Sequence, residues 1–300
     1  MPPEVALADS GIRDKFLIHR WHLPLVPEPD NQRELTMSDL DRNYNSPFGR
    51  AAGRVDAATV DAGLRAYMLR IYNYMSIGLA ITGLAALGVF MAATTNDPSA
   101  AVVHYHGIGL TQLGVAIFAS PLRWLFILAP LAMVFVMSAG VNRFAPSTAQ
   151  MLFWVFSALM GVSLSSIFLV YTHTSIVRVF FITAATFGAL SLYGYTTRRD
   201  MTGMGSFLFM GLIGIIIASL VNLFLASTML QFVVSVVGVL VFAGFTAYDT
   251  QRLKNEYIYG YAGSGGEAAE RAAIYGALSL YLDFINLFML LLRLLGGQRD

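Results

Sequence analysis

The chain has 300 residues, 56% of them hydrophobic and only 12% charged, with a formal net charge of +1 at pH 7 and a mean hydropathy of +0.63. So few charges cannot cover a water-facing surface, and without clustered Lys and Arg there is no electrostatic footprint for nucleic acid. The absence of cysteine excludes disulfides, thiolate metal sites and a cysteine nucleophile.

Residues 1–69 carry most of the Asp and Pro, together with many Arg, and read as a cytoplasmic tail. The Pro-rich, acidic stretch from Leu23 to Leu40 is too polar to bury a core, so disorder is expected there, with Phe16, Leu17, Trp21 and Leu23 as a sticky patch. No basic region leads into a short apolar stretch with a cleavage site, so the first span is expected to direct insertion. Residues 70–300 read as an all-α membrane domain. About 20 apolar residues at 1.5 Å each cross a bilayer. Seven runs qualify: Ile71 to Thr94, Leu122 to Val141, Ser147 to Tyr171, Ser175 to Tyr195, Ser206 to Ala226, Met229 to Asp249 and Ala273 to Leu295. Met201 to Tyr248 carries no charge and as one helix would be about 72 Å long, so it must fold back, at Ala226 to Met229. The run interrupted by Asp283 and Arg293 is expected inside the bundle.

Lys and Arg favour cytoplasmic connections. With the tail inside, that side also collects Arg143, Arg198, Arg199, Arg252, Lys254 and Arg271, against Arg123, Arg178, Arg293 and Arg299 opposite. Seven spans then place the carboxyl end outside.

On the last span Tyr275, Ser279, Asp283, Asn286 and Arg293 recur every three to four residues and share one helix face. Ser279 and Asn286 are typical interhelical polar glue, and with Tyr275 they are candidates to line a pore. A carboxylate inside a span is costly and calls for a partner or a cavity, which makes Asp283 a functional candidate. Asp249, at the expected end of the sixth span, is its natural partner, because both lie within about 15 Å of the same helix ends. An acidic residue at a helix carboxyl terminus opposes the macrodipole, so helix stability does not account for it. The alternative for Asp249 is a surface pair with Arg252 or Lys254.

The stretch Phe187-Gly188-Ala189-Leu190-Ser191-Leu192-Tyr193-Gly194-Tyr195 with Thr202-Gly203-Met204-Gly205 resembles the transmembrane Bax-inhibitor-motif family. So do Phe242-Ala243-Gly244-Phe245-Thr246-Ala247-Tyr248-Asp249-Thr250-Gln251 and Ala277-Leu278-Ser279-Leu280-Tyr281-Leu282-Asp283-Phe284-Ile285-Asn286-Leu287-Phe288. Coverage runs from about Arg70 to Gly297. The resemblance implies seven transmembrane helices, six surrounding a central C-terminal helix, with a proton-sharing aspartate pair closing a calcium-leak path. Asp249 and Asp283 match that pair, and Arg143 occupies the place of an arginine that bonds it in bacterial members. The chain looks like the bacterial branch, which implies an inner-membrane location. That branch includes a modulator of a membrane-bound ATP-dependent protease. The expected partners are membrane lipid, calcium and such a protease.

A leak needs weak ion sites, and two aspartates offer few of the six to eight oxygens that calcium prefers, so Asp249 and Asp283 would hold it loosely. Two carboxylates in contact in a low dielectric do not easily both ionise, so a shared proton is expected. No EF-hand, phosphate loop or dinucleotide fingerprint occurs, no cofactor is implied, and the glycines from Gly260 to Gly266 read as a linker. His104 and His106 form a weak metal candidate. An intramembrane aspartyl protease is a competing reading of the two aspartates. It is opposed by the absence of a Gly-x-Gly motif before Asp283 and of a Pro-Ala-Leu segment, and the favoured expectation is a protein that is not an enzyme. A serine protease is opposed by the position of His19, His22, His104, His106 and His173 in the tail or at span ends. A non-conducting adaptor that restrains a membrane protease is the third reading, using Gly214, Ala218 and Asn222, although such small residues serve internal packing equally well. The charge pattern yields a direct test: reporter fusions at the two ends should report opposite compartments, and both ends on one side would overturn the odd span count.

Overall fold

The computed structural model describes residues 47–105, 107–141, 143–262 and 266–299, with side chains described from Thr59 onward. The expectations for residues 1–46, for His106 and for residues 263–265 lie outside these. Residues Arg54–Asp300 form one compact unit.

Apolar composition and local capping explain the helix pattern. Helix α1 spans Pro47–Ala93 and is followed by three short antiparallel strands, β1 (Thr94–Thr95), β2 (Val103–Tyr105) and β3 (Ile108–Leu110), in the order β1-β3-β2. Helix α2 (Gln112–Ala119) meets α3 (Arg123–Ala139) at 62°. Helix α4 (Pro146–Val170) opens with proline in its first turn, where the missing N–H costs nothing. Helix α5 (His173–Thr196) is capped by Thr172, whose hydroxyl accepts from the Ser175 amide. Helix α6 (Thr202–Leu225) turns into α7 (Thr228–Tyr261), and α8 (Glu267–Leu295) closes the fold. Its first turn holds Glu267 and Glu270 and its last Arg293, charges that complement the helix dipole.

Six of these helices, α1 and α4 to α8, are long and apolar enough to cross a membrane, and the bent α2–α3 pair makes a seventh if it is one span. The fold-back falls where the charge-free stretch requires it. Ala226 adopts a left-handed φ of 48°, Asn222 Oδ1 accepts from the Ser227 amide at 2.9 Å, and Ser227 caps α7 by accepting from Leu230.

Two boundaries differ from the sequence reading. The packed region begins before residue 70, since Leu64, Tyr67 and Met68 are buried in the main core. Counting apolar residues stops at Arg65 and Arg70, whereas the helix continues through them and keeps an apolar stripe inward. Likewise α7 runs on to Tyr261, so Asp249 sits within the helix rather than at its carboxyl terminus, and the dipole argument does not apply to it.

Helix α8 is the most enclosed, with 56% of its apolar window buried against 11% for α6. Fully buried Tyr281 places its hydroxyl 2.6 Å from Thr82 of α1 and its ring edge-on to Phe153 and Phe156 of α4. Phe284 meets Phe180 and Phe187 of α5, and Tyr275 donates to the Met137 carbonyl of α3. Gly238 of α7 admits Leu290. Helix α6 packs on α7, where Tyr248 covers Gly205 and Leu208 covers Gly244.

Beyond α8 the chain is strapped to the α4–α5 junction. Thr172 donates its amide to Gly297 and the Arg299 amide donates to Val170, while Gly297 donates to Ser175 Oγ. At the opposite end Arg271 donates to the Phe144 carbonyl and Arg70 lies 4.0 Å from Glu270.

Helix α5 approaches α7 closely, so that a Cβ on Gly194 would strike the Ala247 backbone, whereas one on Gly188 would meet nothing. Gly194→Leu should therefore lower the melting temperature in detergent, by an overpacking cost of about 1–3 kcal/mol. Gly188→Ala should leave it unchanged or slightly raised. Equal effects of the two changes would contradict the packing described.

Candidate functional site

The site arises where α7 meets α8. Small and hydroxylated residues on α7 let the helices approach closely: Thr246 and Thr250 are fully buried and turn their hydroxyls back onto the Phe242 and Thr246 carbonyls of their own helix. Both hydroxyls are thereby satisfied, Thr250 also meeting Ser191 of α5, which leaves the carboxylates as the unusual groups. Asp249 is 7% exposed and Asp283 5%.

One cation serves this pair. Arg252, one turn along α7, puts Nη2 3.4 Å from Asp249 Oδ1 and donates from the same nitrogen to Ser279 Oγ at 3.3 Å, while its Nε lies 3.6 Å from Glu256. Ser279 is one turn from Asp283 on α8, so the guanidinium bridges the two helices directly above the second carboxylate. The charged neighbours of Asp283 are Asp249 and Arg252. Asp283 Oδ2 is buried and makes no hydrogen bond, an uncommon and costly state for a carboxyl oxygen.

A polar cleft of about 290 Å³ opens above the guanidinium, lined by Val141, Arg252, Glu256, Arg271, Tyr275 and Ser279 among others. Deeper along α8 the surroundings turn apolar, with Phe284, Leu287 and Phe288 buried. The arrangement can store charge and exchange a proton with the cleft.

The residues singled out in the sequence separate into two groups. Asp249, Asp283, Ser279 and Tyr275 fall together, the last two in the cleft wall. Arg143 does not join them: it is exposed in the α3–α4 turn and its side chain makes no ion pair or hydrogen bond among the described residues. Arg252 takes that role because it is one helical turn from Asp249, a spacing visible in the sequence but read there only as a surface pair. The pair with Arg252 exists, yet Asp249 is buried. Lys254 points elsewhere, donating to the Tyr195 carbonyl. Asn286 caps no cavity and donates to the Leu282 carbonyl of its own helix. Arg293 is exposed at the far end of α8, so the polar face is continuous only over its first half. Gly214 is exposed on α6 with nothing packed on it, and His104 is exposed on β2. Among the described residues no group of three His, Asp or Glu is placed to hold a metal.

A second set of polar links was not anticipated. The hydroxyls of Tyr72, Ser191 and Thr250 follow one another at 2.6 and 2.9 Å, joining α1 and α5 to the residue beside Asp249. Gln251 holds the α5–α6 loop, donating to the Arg199 carbonyl and accepting from the Met201 amide.

The family model described as inhibitor of apoptosis-promoting Bax1 matches residues 64–300. The chain belongs to the Bax-inhibitor family. Curated relatives of this Bax-inhibitor protein include one from Rickettsia prowazekii (strain Madrid E), 48% identical over 242 residues, 81% of this chain and 94% of that protein. A Caulobacter vibrioides protein is 43% identical over 266 residues, 88% of this chain and all of its own length. The inner membrane protein YbhL of Escherichia coli (strain K12) is 46% identical over 246 residues, 79% of this chain and 94% of that protein. With its apolar helices, this makes the chain a multi-pass membrane protein. The match begins at Leu64, the first buried residue of α1, which agrees with the earlier boundary.

Removing one member of a buried ion pair strands the other. Arg252→Ala should destabilise the protein by about 1–3 kcal/mol, less than the loss of a fully buried partner because the arginine is partly exposed. Arg143→Ala should leave the melting curve at wild type. Adding Asp249→Asn to Arg252→Ala should restore part of the loss, a non-additivity that thermal melts of the double mutant would read.

Proposed function

We propose that this Bax-inhibitor family member is a pH-sensitive calcium leak of the bacterial inner membrane, gated where Asp249, Asp283 and Arg252 meet. In this reading it has seven spans, six of them around α8, its amino end is cytoplasmic and its carboxyl end outside. The cleft above Arg252 is the cytoplasmic vestibule. What supports the reading is one observation: two carboxylates are buried on facing helices, the guanidinium beside them pairs with Asp249 and reaches Ser279 one turn from Asp283, and one Asp283 oxygen is left without a hydrogen bond. Such an arrangement costs stability, and a span retains it where it serves conduction or proton sensing.

The guanidinium occupies the position a cation would take beside Asp249. Calcium entering from the cleft must displace Arg252 from Asp249 and Ser279, and the apolar layer at Phe284, Leu287 and Phe288 must separate before it can pass. The geometry is therefore that of a closed gate. Two aspartates with water and carbonyls give a loose calcium site, as conduction needs. Protonating either carboxyl changes the number of charges that one arginine must balance, which links the gate to pH.

The test is calcium flux into dye-loaded liposomes across about pH 5 to 9, a window that covers a perturbed carboxyl titration. Wild type should show a pH-dependent flux. Asp249→Asn and Asp283→Asn should each remove most of that dependence, and Arg143→Ala should keep it. Absence of flux from folded wild-type protein would leave the family's protease-modulating branch as the better reading. Wild-type pH profiles in both Asn variants would remove the pair from the gate.

A further inference from the structure

Helix α1 does not close against α5 along its length. Between them lie two adjoining apolar cavities of about 490 and 660 Å³, which share Met75, Ser76 and Phe187 in their walls. The second adjoins another of about 270 Å³ through Leu79, Gly83 and Phe180. The floor is α8, reached at Phe284. Exposed Leu69, Leu84 and Leu192 flank the opening, so it faces the hydrocarbon of the bilayer.

Two features distinguish this groove from ordinary surface roughness. The wall lacks side chains where filling it would be easiest, since a Cβ on Gly83 or Gly188 would meet nothing within 4 Å. Its ends also differ in charge. Arg65 lines the end nearest the start of α1, is exposed, and makes no ion pair among the described residues. Tyr195 lines the same end, with Lys254 5.5 Å over its ring. The opposite end carries no charged side chain, and its one hydroxyl, on Thr82, is already bonded to the Gly78 carbonyl and the Tyr281 hydroxyl. From Arg65 to Leu87 the lining follows α1 for about 33 Å at 1.5 Å per residue, close to a hydrocarbon core of about 30 Å, so an acyl chain entering beside Arg65 has room for its full length.

We propose that the α1–α5 groove is a binding site for one anionic glycerophospholipid, with an acyl chain lying over Phe284 and the phosphate at Arg65. The basic end at Arg65 and the long apolar body match the charge and the apolar character of such a lipid, headgroup at one end and acyl chain along the groove. Basic residues at a membrane surface attract anionic headgroups. The proposal rests on membrane embedding and not on the gate, although the Tyr72–Ser191–Thr250 hydroxyl chain in its wall ends beside Asp249.

Native mass spectrometry of the full chain released from detergent, with phosphatidylglycerol or phosphatidylcholine of the same acyl chains added, tests it. Wild type should retain phosphatidylglycerol about fivefold better, the contribution expected of one basic residue near a charged surface. Arg65→Gln, a change at an exposed side chain, should bring the two lipids close to parity. Gly188→Leu with Gly83→Phe should lose retention of both lipids. Equal retention of the two lipids by wild type, or an undiminished preference in Arg65→Gln, would overturn the headgroup assignment. Unchanged retention in the filled variant would mean annular lipid only.

Discussion

Everything near the site follows from the cost of keeping two carboxylates out of water inside a helical bundle. One guanidinium, three residues from Asp249, is all the positive charge that reaches them, and its second hydrogen bond crosses to Ser279 on α8. Buried ion pairs are poor contributors to stability because desolvation offsets attraction. The rest of the bundle must therefore supply the stability. It does so through aromatic packing around Tyr281 and through close approaches of α5, α6 and α7 that are possible only at glycine.

That division explains the signature stretches. Gly194 and Gly205 belong to the segment that resembles the family, and both stand where α7 presses closest, against Ala247 and Tyr248. The residues immediately before Asp249 are thus held on both sides, Ala247 by its backbone against Gly194 and Tyr248 by its ring over Gly205. Without a hydrophobic driving force between helices in lipid, such packing is what fixes one helix against another. The positioning of Asp249 and the small residues of α5 and α6 are one feature seen from two sides.

Much of this was legible in the sequence, and the gaps have physical reasons. Long apolar runs located the spans to within a few residues, because bilayer thickness sets their length. The α6–α7 turn was legible because a charge-free stretch of that length cannot be one span. Asp283 stood out through the rarity of carboxylates in hydrocarbon. Arg252 was passed over because sequence spacing gives helical phase but not depth, and a guanidinium three residues on looks the same at a surface as over a buried pair. The helical extensions at residues 47–69 and 250–261 were missed because charges end an apolar count without ending a helix. The strands between α1 and α2 are only two or three residues each, too short to carry a period. The α1–α5 groove is a property of spacing between helices far apart in sequence, which no local pattern records.

The terminal strap has a mechanical consequence. Helix α8 is fastened at one end by Arg70 and Arg271 contacts and at the other by the pairing of Gly297 and Arg299 with the α4–α5 junction. A rod clamped at both ends cannot slide along its axis. It can bow at mid-length, or it can stay still while a neighbour swings away. Asp283 lies near the middle of that rod, where bowing has its greatest amplitude, and the end of α7 beyond Asp249 is tied through Gln251 and Lys254 to the end of α5 and its loop, so a swing of α7 would carry that loop with it.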